Sequence, residues 1–332
     1  MQALRLHETN QPLQLESLDT PAPFPGQALI RLQTAALNHR DCWIMQGLYP
    51  GLQLPITLGS DGAGIVQRVG EGVETSLVGE EVIMNPGLRW GASAAAQADD
   101  FEILGMPTDG TFATHVIVPA SCVFPRPKHL SGEESASLPL AGVTAYRALF
   151  TRGQLQSGQN VLISGIGGGV ATFALQFAVA AGADVWVTSS SAEKIERAVG
   201  LGAKGGFNYK DENWVKEFSE TASAPNLIID SAGGAGYAAL MNLAAPAGRI
   251  VNYGATAGPP EKLDMFKLFW KQLRLQGSTM GSPTDFAAML KFVNEKKLAP
   301  VVDVVTPLSE GNEAIGRMKS SPQFGKCVLS IE

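Results

Sequence analysis

The sequence predicts an α/β protein in which a doubly wound parallel Rossmann sheet accompanies a compact β-barrel-like domain. Three observations carry this. From Ser131 onward, helical and strand-like segments alternate, which implies parallel strands joined by crossover helices. Residues 160–194, NVLISGIGGGVATFALQFAVAAGADVWVTSSSAEK, read as strand, glycine turn, helix and second strand. Roughly the first 125 residues hold short strand candidates punctuated by glycine, the texture of a small barrel. At 332 residues the chain exceeds what one hydrophobic core usually supports, so two domains are expected.

In chain order, residues 29–34 and parts of 114–119 alternate apolar and polar side chains. Segments 64–69 and 81–84 read as strands among Gly59, Gly62, Gly64, Gly70, Gly72 and Gly79. Pro21, Pro23, Pro25 and Gly26 form an early loop. Residues 87–105 have no period and read as a lobe or mobile loop. Ser131-x-x-Glu134 is a capping box opening a helix through about residue 138, and 142–150 reads as another helix. Residues 161–164 are a short apolar run of the kind buried in parallel sheets. Beyond the glycines, Val170, Phe173, Ala174, Phe177, Ala178 and Ala181 recur at helical spacing, Gly182 closes the helix, and 185–188 is the next strand. A helix over 192–201 follows. Strands at 227–230, 249–253 and 273–277, with helices at 214–220 and 236–243, continue the alternation. The tail returns to a helix over 285–294 and strand-like runs at 301–305 and 326–331.

A backbone without Cβ atoms just ahead of a helix approaches a pyrophosphate closely and offers it N–H groups and a favourable dipole. Gly167, Gly168, Gly169 and Val170, which stands at the third glycine position counted from Gly165, are therefore candidate dinucleotide contacts. The tip of the second strand carries Ser189, Ser190 and Ser191, with Lys194 close behind, where an NAD site usually places a carboxylate. Hydroxyls and an ammonium suit a 2′-phosphate, so NADPH is expected over NADH. Glu193 is the competing acid; it lies at a helix start, where an acid is favoured for dipole reasons alone.

The net charge of −6 and the lack of a basic stripe argue against a nucleic-acid partner. No apolar run reaches membrane-spanning length and the N-terminus has no signal-peptide core, so no membrane association is expected. Cys42, Cys122 and Cys327 are odd in number, widely separated and without metal-site spacing, which suits a reduced, cytoplasmic protein.

Several separate anchors resemble the medium-chain dehydrogenase/reductase superfamily, and within it the zinc-free quinone oxidoreductase branch. They are Ala36-Leu37-Asn38-His39-Arg40-Asp41, Gly47-Leu48-Tyr49-Pro50, Leu58-Gly59-Ser60-Asp61-Gly62-Ala63-Gly64, Leu138-Pro139-Leu140-Ala141-Gly142-Val143-Thr144-Ala145, the glycine turn, and Gly325-Lys326. The resemblance implies a GroES-like β-barrel catalytic domain, residues 1–126 plus 282–332, with the Rossmann domain, 127–281, inserted in it. It also implies a homodimer formed through the last Rossmann strands. Lys194 and Tyr209 match the residues that grip the 2′-phosphate in NADPH-using members.

Zinc-dependent relatives carry Cys where this chain has Asn38, His-Glu where it has Ser60-Asp61, and another ligand near Leu140. Asn, Ser and Leu are not zinc ligands, and the cysteines of the structural zinc lobe are missing from 90–104, so no metal is expected. Zinc lowers the pKa of a bound oxygen from about 16 to about 7. Without it, forming an alkoxide at neutral pH costs on the order of 12 kcal/mol. A quinone or an α,β-unsaturated carbonyl takes hydride directly and needs only its oxygen polarised. The expected partner is therefore a small electrophile of that class.

The resemblance places Asn38, Asp41, Trp43 and Tyr49 along the nicotinamide cleft. Tyr49 is the candidate donor to the substrate oxygen and Asn38 a group that orients it. Asp41 either takes part or only holds its loop, and Ser60 with Asp61 either serves the site or forms a turn. Trp43 stands where relatives often have a tyrosine, and its indole is a poor proton source. Thr144 is a cofactor contact or an N-cap. Gly233, and the run Tyr253, Gly254, Ala255 and Thr256, follow strand ends and are candidates to line the nicotinamide. Ser278-Thr279-Met280-Gly281 follows the last strand in the same way. Lys326 resembles a late basic residue that reaches cofactor phosphate, with a solvated surface lysine as the alternative. Two other functions stay open: an alcohol dehydrogenase with an atypical zinc site, and a non-catalytic NADPH-binding scaffold or redox sensor.

Overall fold

The fold is described from a computed structural model covering residues 1–320 and 322–332. The chain forms two compact units, one of Met1–Ala141 with Ser282–Glu332, the other of Gly142–Gly281. The first unit thus extends past the expected limit at residue 126. The reason is the Gly132–Ser137 helix, which packs on the Gln27–Ala36 and Asp61–Val69 strands of that unit.

The first unit is built on the ten-residue strand Gln27–Ala36, which pairs antiparallel with Asp61–Val69, His115–Pro119 and Lys326–Ser330. Glu81–Met84 and Val123–Pro125 extend the sheet on one side, and Val302–Pro307 lies parallel to Lys326–Ser330 on the other. Alternating burial along Gln27–Ala36 aims Ala28, Ile30, Leu32 and Ala35 into a core shared with Leu4, Leu6, Met84, Phe112 and Leu329. Gly64 sits where register shifts bring the strands together. A Cβ there would stand 2.1 Å from the Arg31 carbonyl, so only glycine fits. The segment without sequence period, 87–105, is an ordered lobe. Gly87–Leu88 pairs with Glu102–Ile103, Arg89 meets Asp100 and Glu102, and Trp90 packs edge-on against Phe101.

The second unit is a six-stranded, fully parallel sheet in the order Gly205–Asn208, Asp184–Ser189, Asn160–Ile163, Leu227–Asp230, Arg249–Asn252, Arg274–Gly277. In chain order this is 3-2-1-4-5-6, the doubly wound Rossmann arrangement the alternation predicts. Val161, Leu162, Ile163, Val185, Val187, Leu227, Ile228 and Ile229 are fully buried, as strands covered on both faces must be. Each such side chain contributes roughly 1.5–3 kcal/mol by leaving water. Gly169–Ala180 lays Phe173, Ala174, Phe177 and Ala178 inward and ends at Gly182, whose φ is +83°. The expected 142–150 helix begins earlier, at Pro139, and widens into a π turn over Arg147–Arg152.

Candidate active site

Strand register places the candidate residues of the first unit. Ala36 lies opposite Asp61 on one side and Val328 on the other, and the Leu37 N–H donates to the Cys327 carbonyl. Asn38, just past the strand end, therefore falls between Asp61 and Lys326. It is the N-cap of the His39–Met45 helix, but its side chain does not cap. The cap is supplied instead by Asp41, whose Oδ2 accepts the Asn38 N–H at 2.8 Å. The Asn38 amide is left free to turn into the site.

There it closes a triangle. Asn38 Nδ2 donates to Asp61 Oδ2 at 2.9 Å, and the Lys326 ammonium donates to Asn38 Oδ1 at 2.6 Å and to Asp61 Oδ2 at 3.0 Å. The second Asp61 oxygen accepts the Leu140 N–H at 2.8 Å. Lys326 is 3% exposed and Asp61 fully buried. Lys326 is thus no solvated surface lysine; its ammonium bonds Asn38 and Asp61. Asp61 joins the triangle and is no mere turn.

The other candidates of this unit have different surroundings. Ser60 is fully buried; its hydroxyl donates to the Leu104 carbonyl and accepts from Arg40, so its proton is spent on structure. Arg40 also bonds the Leu104 carbonyl and lies 5.0 Å above the Tyr49 ring, which ties half-buried Tyr49 to Arg40 and not to Asn38. Asp41 is fully buried, and burial pushes its carboxyl up to about 6. Its observed contact is the helix cap. His39, tilted against Trp43, has its pKa lowered by burial and by the nearby Lys326 charge, so it is neutral at pH 7. Burial raises Cys42 to about 12 and Cys327 to about 11, which leaves both as thiols.

The Rossmann unit carries its own candidate residues. Gly165 and Gly167 have φ of +67° and +136°, and Gly168 is the N-cap of the Gly169–Ala180 helix. A Cβ added at Gly165 or Gly168 would meet nothing within 4 Å, so the turn presents open backbone. The first amides of a helix lack intrahelical acceptors. That combination fits a pyrophosphate. At the next strand tip, Ser189 Oγ accepts the Ser191 N–H, and Ser191 Oγ caps its helix by accepting the Lys194 N–H, leaving both O–H groups to donate. Ser190 is exposed at the bend, and exposed Tyr209 is held beside it by its N–H bond to the Ser189 carbonyl. These groups fit a phosphate on the adenosine ribose.

Sequence reasoning missed Asp230, at the carboxyl end of the Leu227–Asp230 strand. It accepts from Ser164 Oγ, from the Gly233 N–H at 2.9 Å and from Asn252 Nδ2 at 2.8 Å. It thereby fixes the loop carrying Gly233. The signal available was an acid ending a buried strand just before Ser-Ala-Gly-Gly. Tyr253 is held through its N–H on the Asp230 carbonyl, and Thr256 through its N–H on Ser231, which places Gly254 and Ala255 between two anchored residues. Thr144 is buried inside the Pro139–Tyr146 helix near Met280 Sδ, so it is not an N-cap.

A zinc ion does not fit these residues. The position of the cysteine ligand is an amide, and the one carboxylate beside it already carries an ammonium. Among the described residues no group of three or more His, Cys, Asp or Glu could hold a metal. Among them, too, no helix is long and apolar enough to cross a membrane.

The chain thus carries a Rossmann sheet and a unit built from both chain ends, and comparison with known proteins gives the class of protein this defines. The family model for the alcohol dehydrogenase GroES-like domain matches residues 24–128, and that for zinc-binding dehydrogenases matches 169–295. The chain belongs to the medium-chain dehydrogenase/reductase superfamily and is an oxidoreductase of that family. A zinc-type alcohol dehydrogenase-like protein of Leptosphaeria maculans is 38% identical, over 96% of this chain and 95% of the relative. A crotonyl-CoA carboxylase/reductase of Cereibacter sphaeroides is 30% identical, over 91% and 80%. The crystal structure of an NAD-dependent alcohol dehydrogenase, 36% identical, superposes with a TM-score of 0.94 over the whole of both chains.

Proposed function

We propose that this protein is a metal-free, NADPH-dependent reductase of quinones or α,β-unsaturated carbonyls, of the zinc-free quinone oxidoreductase branch. The observation that carries the reading is the Asn38–Asp61–Lys326 triangle. A lysine ammonium bonded to Asp61 makes that carboxylate a poor base for turning an alcohol into an alkoxide at neutral pH, a step costing on the order of 12 kcal/mol. An acceptor that is already electrophilic avoids that step. Bound NADPH would supply hydride; the chain's own residues bind it and polarise the acceptor. Gly165 and Gly168 give the pyrophosphate open backbone, and Ser190, Lys194 and Tyr209 suit the 2′-phosphate. A crotonyl-CoA carboxylase/reductase among the relatives is in keeping with conjugated acceptors.

A second reading is an alcohol dehydrogenase, zinc-type by the name of the 38% identical protein and NAD-dependent by that of the 36% identical one. Oxidation of NADPH and NADH against quinones, alkenals and cyclic enones, with metal analysis of the purified protein, separates the two. The reductase reading expects turnover of at least one such acceptor, preference for NADPH and no zinc. About one zinc per chain with alcohol oxidation by NAD would sink it.

Self-association is part of the proposal. Arg274–Gly277 is the outermost strand of the parallel sheet, and the neighbouring Met265–Trp270 helix exposes Met265, Phe266, Phe269 and Trp270. An open sheet edge beside an apolar patch suits a second copy of this chain.

A further inference from the structure

We infer that the Lys326 ammonium takes the metal's part in this chain: it donates a hydrogen bond to the substrate carbonyl oxygen and stabilises the charge that collects there, positioned by Asn38 and Asp61. The inference deepens the reductase reading and rests on it. An ammonium has three N–H donors. Two are committed, to Asn38 Oδ1 and Asp61 Oδ2, and among the described residues the third meets no acceptor. The cation is also rigidly held. Its carboxylate partner is pinned by the Leu140 N–H, its amide partner begins a helix, and its own strand is in register with the strand that ends just before Asn38.

Stability does not account for this cluster. A buried ion pair is often no better than apolar residues of similar size, because desolvation offsets the attraction. A fixed donor that meets charge only as it develops is, by contrast, the arrangement that lowers a barrier. His39, near the same ammonium, has its pKa lowered, which leaves Lys326 as the cation of the cluster.

The electrons balance as follows. A hydride from the reduced nicotinamide forms a C–H bond at the β-carbon of the enone. The C=C pair shifts to form the enolate double bond, and the carbonyl pair moves onto oxygen, which accepts the Lys326 N–H. A proton from water then forms the Cα–H bond and the carbonyl is restored. In a quinone the enolate oxygen instead takes the proton, and loss of a proton from the newly reduced ring carbon with protonation of the second carbonyl oxygen completes the hydroquinone. Lys326 keeps its proton throughout.

The test uses 4-nitrophenol, whose phenolate mimics the developing oxyanion, titrated with the full chain without cofactor and followed by phenolate absorbance. Wild-type protein is expected to lower the ionisation pH of the bound phenol by about one unit. Lys326→Met and the charge-balanced Lys326→Met/Asp61→Asn, which guards against misfolding, should lose the shift. In turnover both variants should lose roughly 10²–10³-fold in kcat, with the KM for NADPH held within about twofold. A lysine serving cofactor phosphate would raise that KM and keep kcat. Wild type that fails to bind 4-nitrophenol or to shift it, or variants that titrate like wild type, overturns the inference. If no quinone or enone is reduced but the Lys326-dependent shift is present, the reductase reading falls and the lysine site stands. If reduction proceeds and the variants keep both kcat and the shift, the lysine assignment falls alone.

Discussion

The Lys326 ammonium donates to Asp61 Oδ2 at 3.0 Å across 265 residues of sequence, and both side chains are withdrawn from water. Removing the lysine alone strands a buried carboxylate. Lys326→Met should therefore cost about 3–5 kcal/mol of stability, and adding Asp61→Asn should recover most of that loss. Urea unfolding of the two single variants and the double gives the coupling directly. Additive losses would mean that the two charges do not sense each other.

Asp41 makes stability depend on pH. Its Oδ2 caps the His39–Met45 helix through the Asn38 N–H, while Oδ1 is buried without a hydrogen-bond partner among the described residues. Burial raises its pKa from 3.8 to about 6. Between those values the folded chain binds more protons than the unfolded one, so this group's contribution falls as pH rises through the window. Asp41→Asn keeps an acceptor for the Asn38 N–H and removes the titration. Relative to this variant, wild type should lose about 3 kcal/mol on going from below pH 4 to above pH 6. Denaturation midpoints of the pair at several pH values check the sign, and parallel profiles would contradict the assignment.

Local pattern explains what was legible in the sequence. The Ser131–Glu134 capping box forms with both of its bonds, and the strand at 227–230 has the observed limits, because each rests on nearest neighbours or on an unbroken apolar run. The short helices His39–Met45 and Met265–Trp270 were not legible; the first is buried on most sides and the second exposes its apolar side chains, so neither shows an amphipathic period. Gly205–Asn208 begins with two glycines of low strand propensity and is held by pairing to the Asp184–Ser189 strand. The burial of Lys326 was not legible. Resemblance offered a contact to cofactor phosphate, with a surface lysine as the alternative, and only the pairing of Lys326–Ser330 with Gln27–Ala36 shows that it lies in the interior.

Gly168 offers a test of the dinucleotide turn that leaves the fold intact. Its backbone, φ −74° and ψ 160°, accepts alanine, and the added Cβ would meet no protein atom within 4 Å. If that space is where a pyrophosphate lies, Gly168→Ala should weaken NADPH binding by about tenfold or more, while the N-cap change costs no more than about 1 kcal/mol. Fluorescence titration with NADPH and a thermal melt separate the two effects. Unchanged affinity would move the cofactor away from this turn.

Lys194 decides the choice between dinucleotides in the proposed function. A charge-assisted bond to a 2′-phosphate contributes about 1.5–3 kcal/mol, so Lys194→Ala should lower kcat/KM for NADPH by roughly 10–100-fold and leave that for NADH unchanged. Equal losses for both cofactors would remove Lys194 from phosphate recognition.

Phe266 and Trp270 stack on each other at 5.9 Å while Trp270 is 72% exposed, beside the open Arg274–Gly277 edge. A two-fold pairing through this face uses the same patch on both copies, so one substitution acts twice. Trp270→Glu should therefore turn a dimer into a monomer in sedimentation equilibrium at micromolar concentration. The six-stranded sheet should keep its circular dichroism, because the exposed Trp270 side chain is not part of its core. A wild-type protein that sediments as a monomer, or a Trp270→Glu protein that stays dimeric, would place the contact elsewhere or remove it.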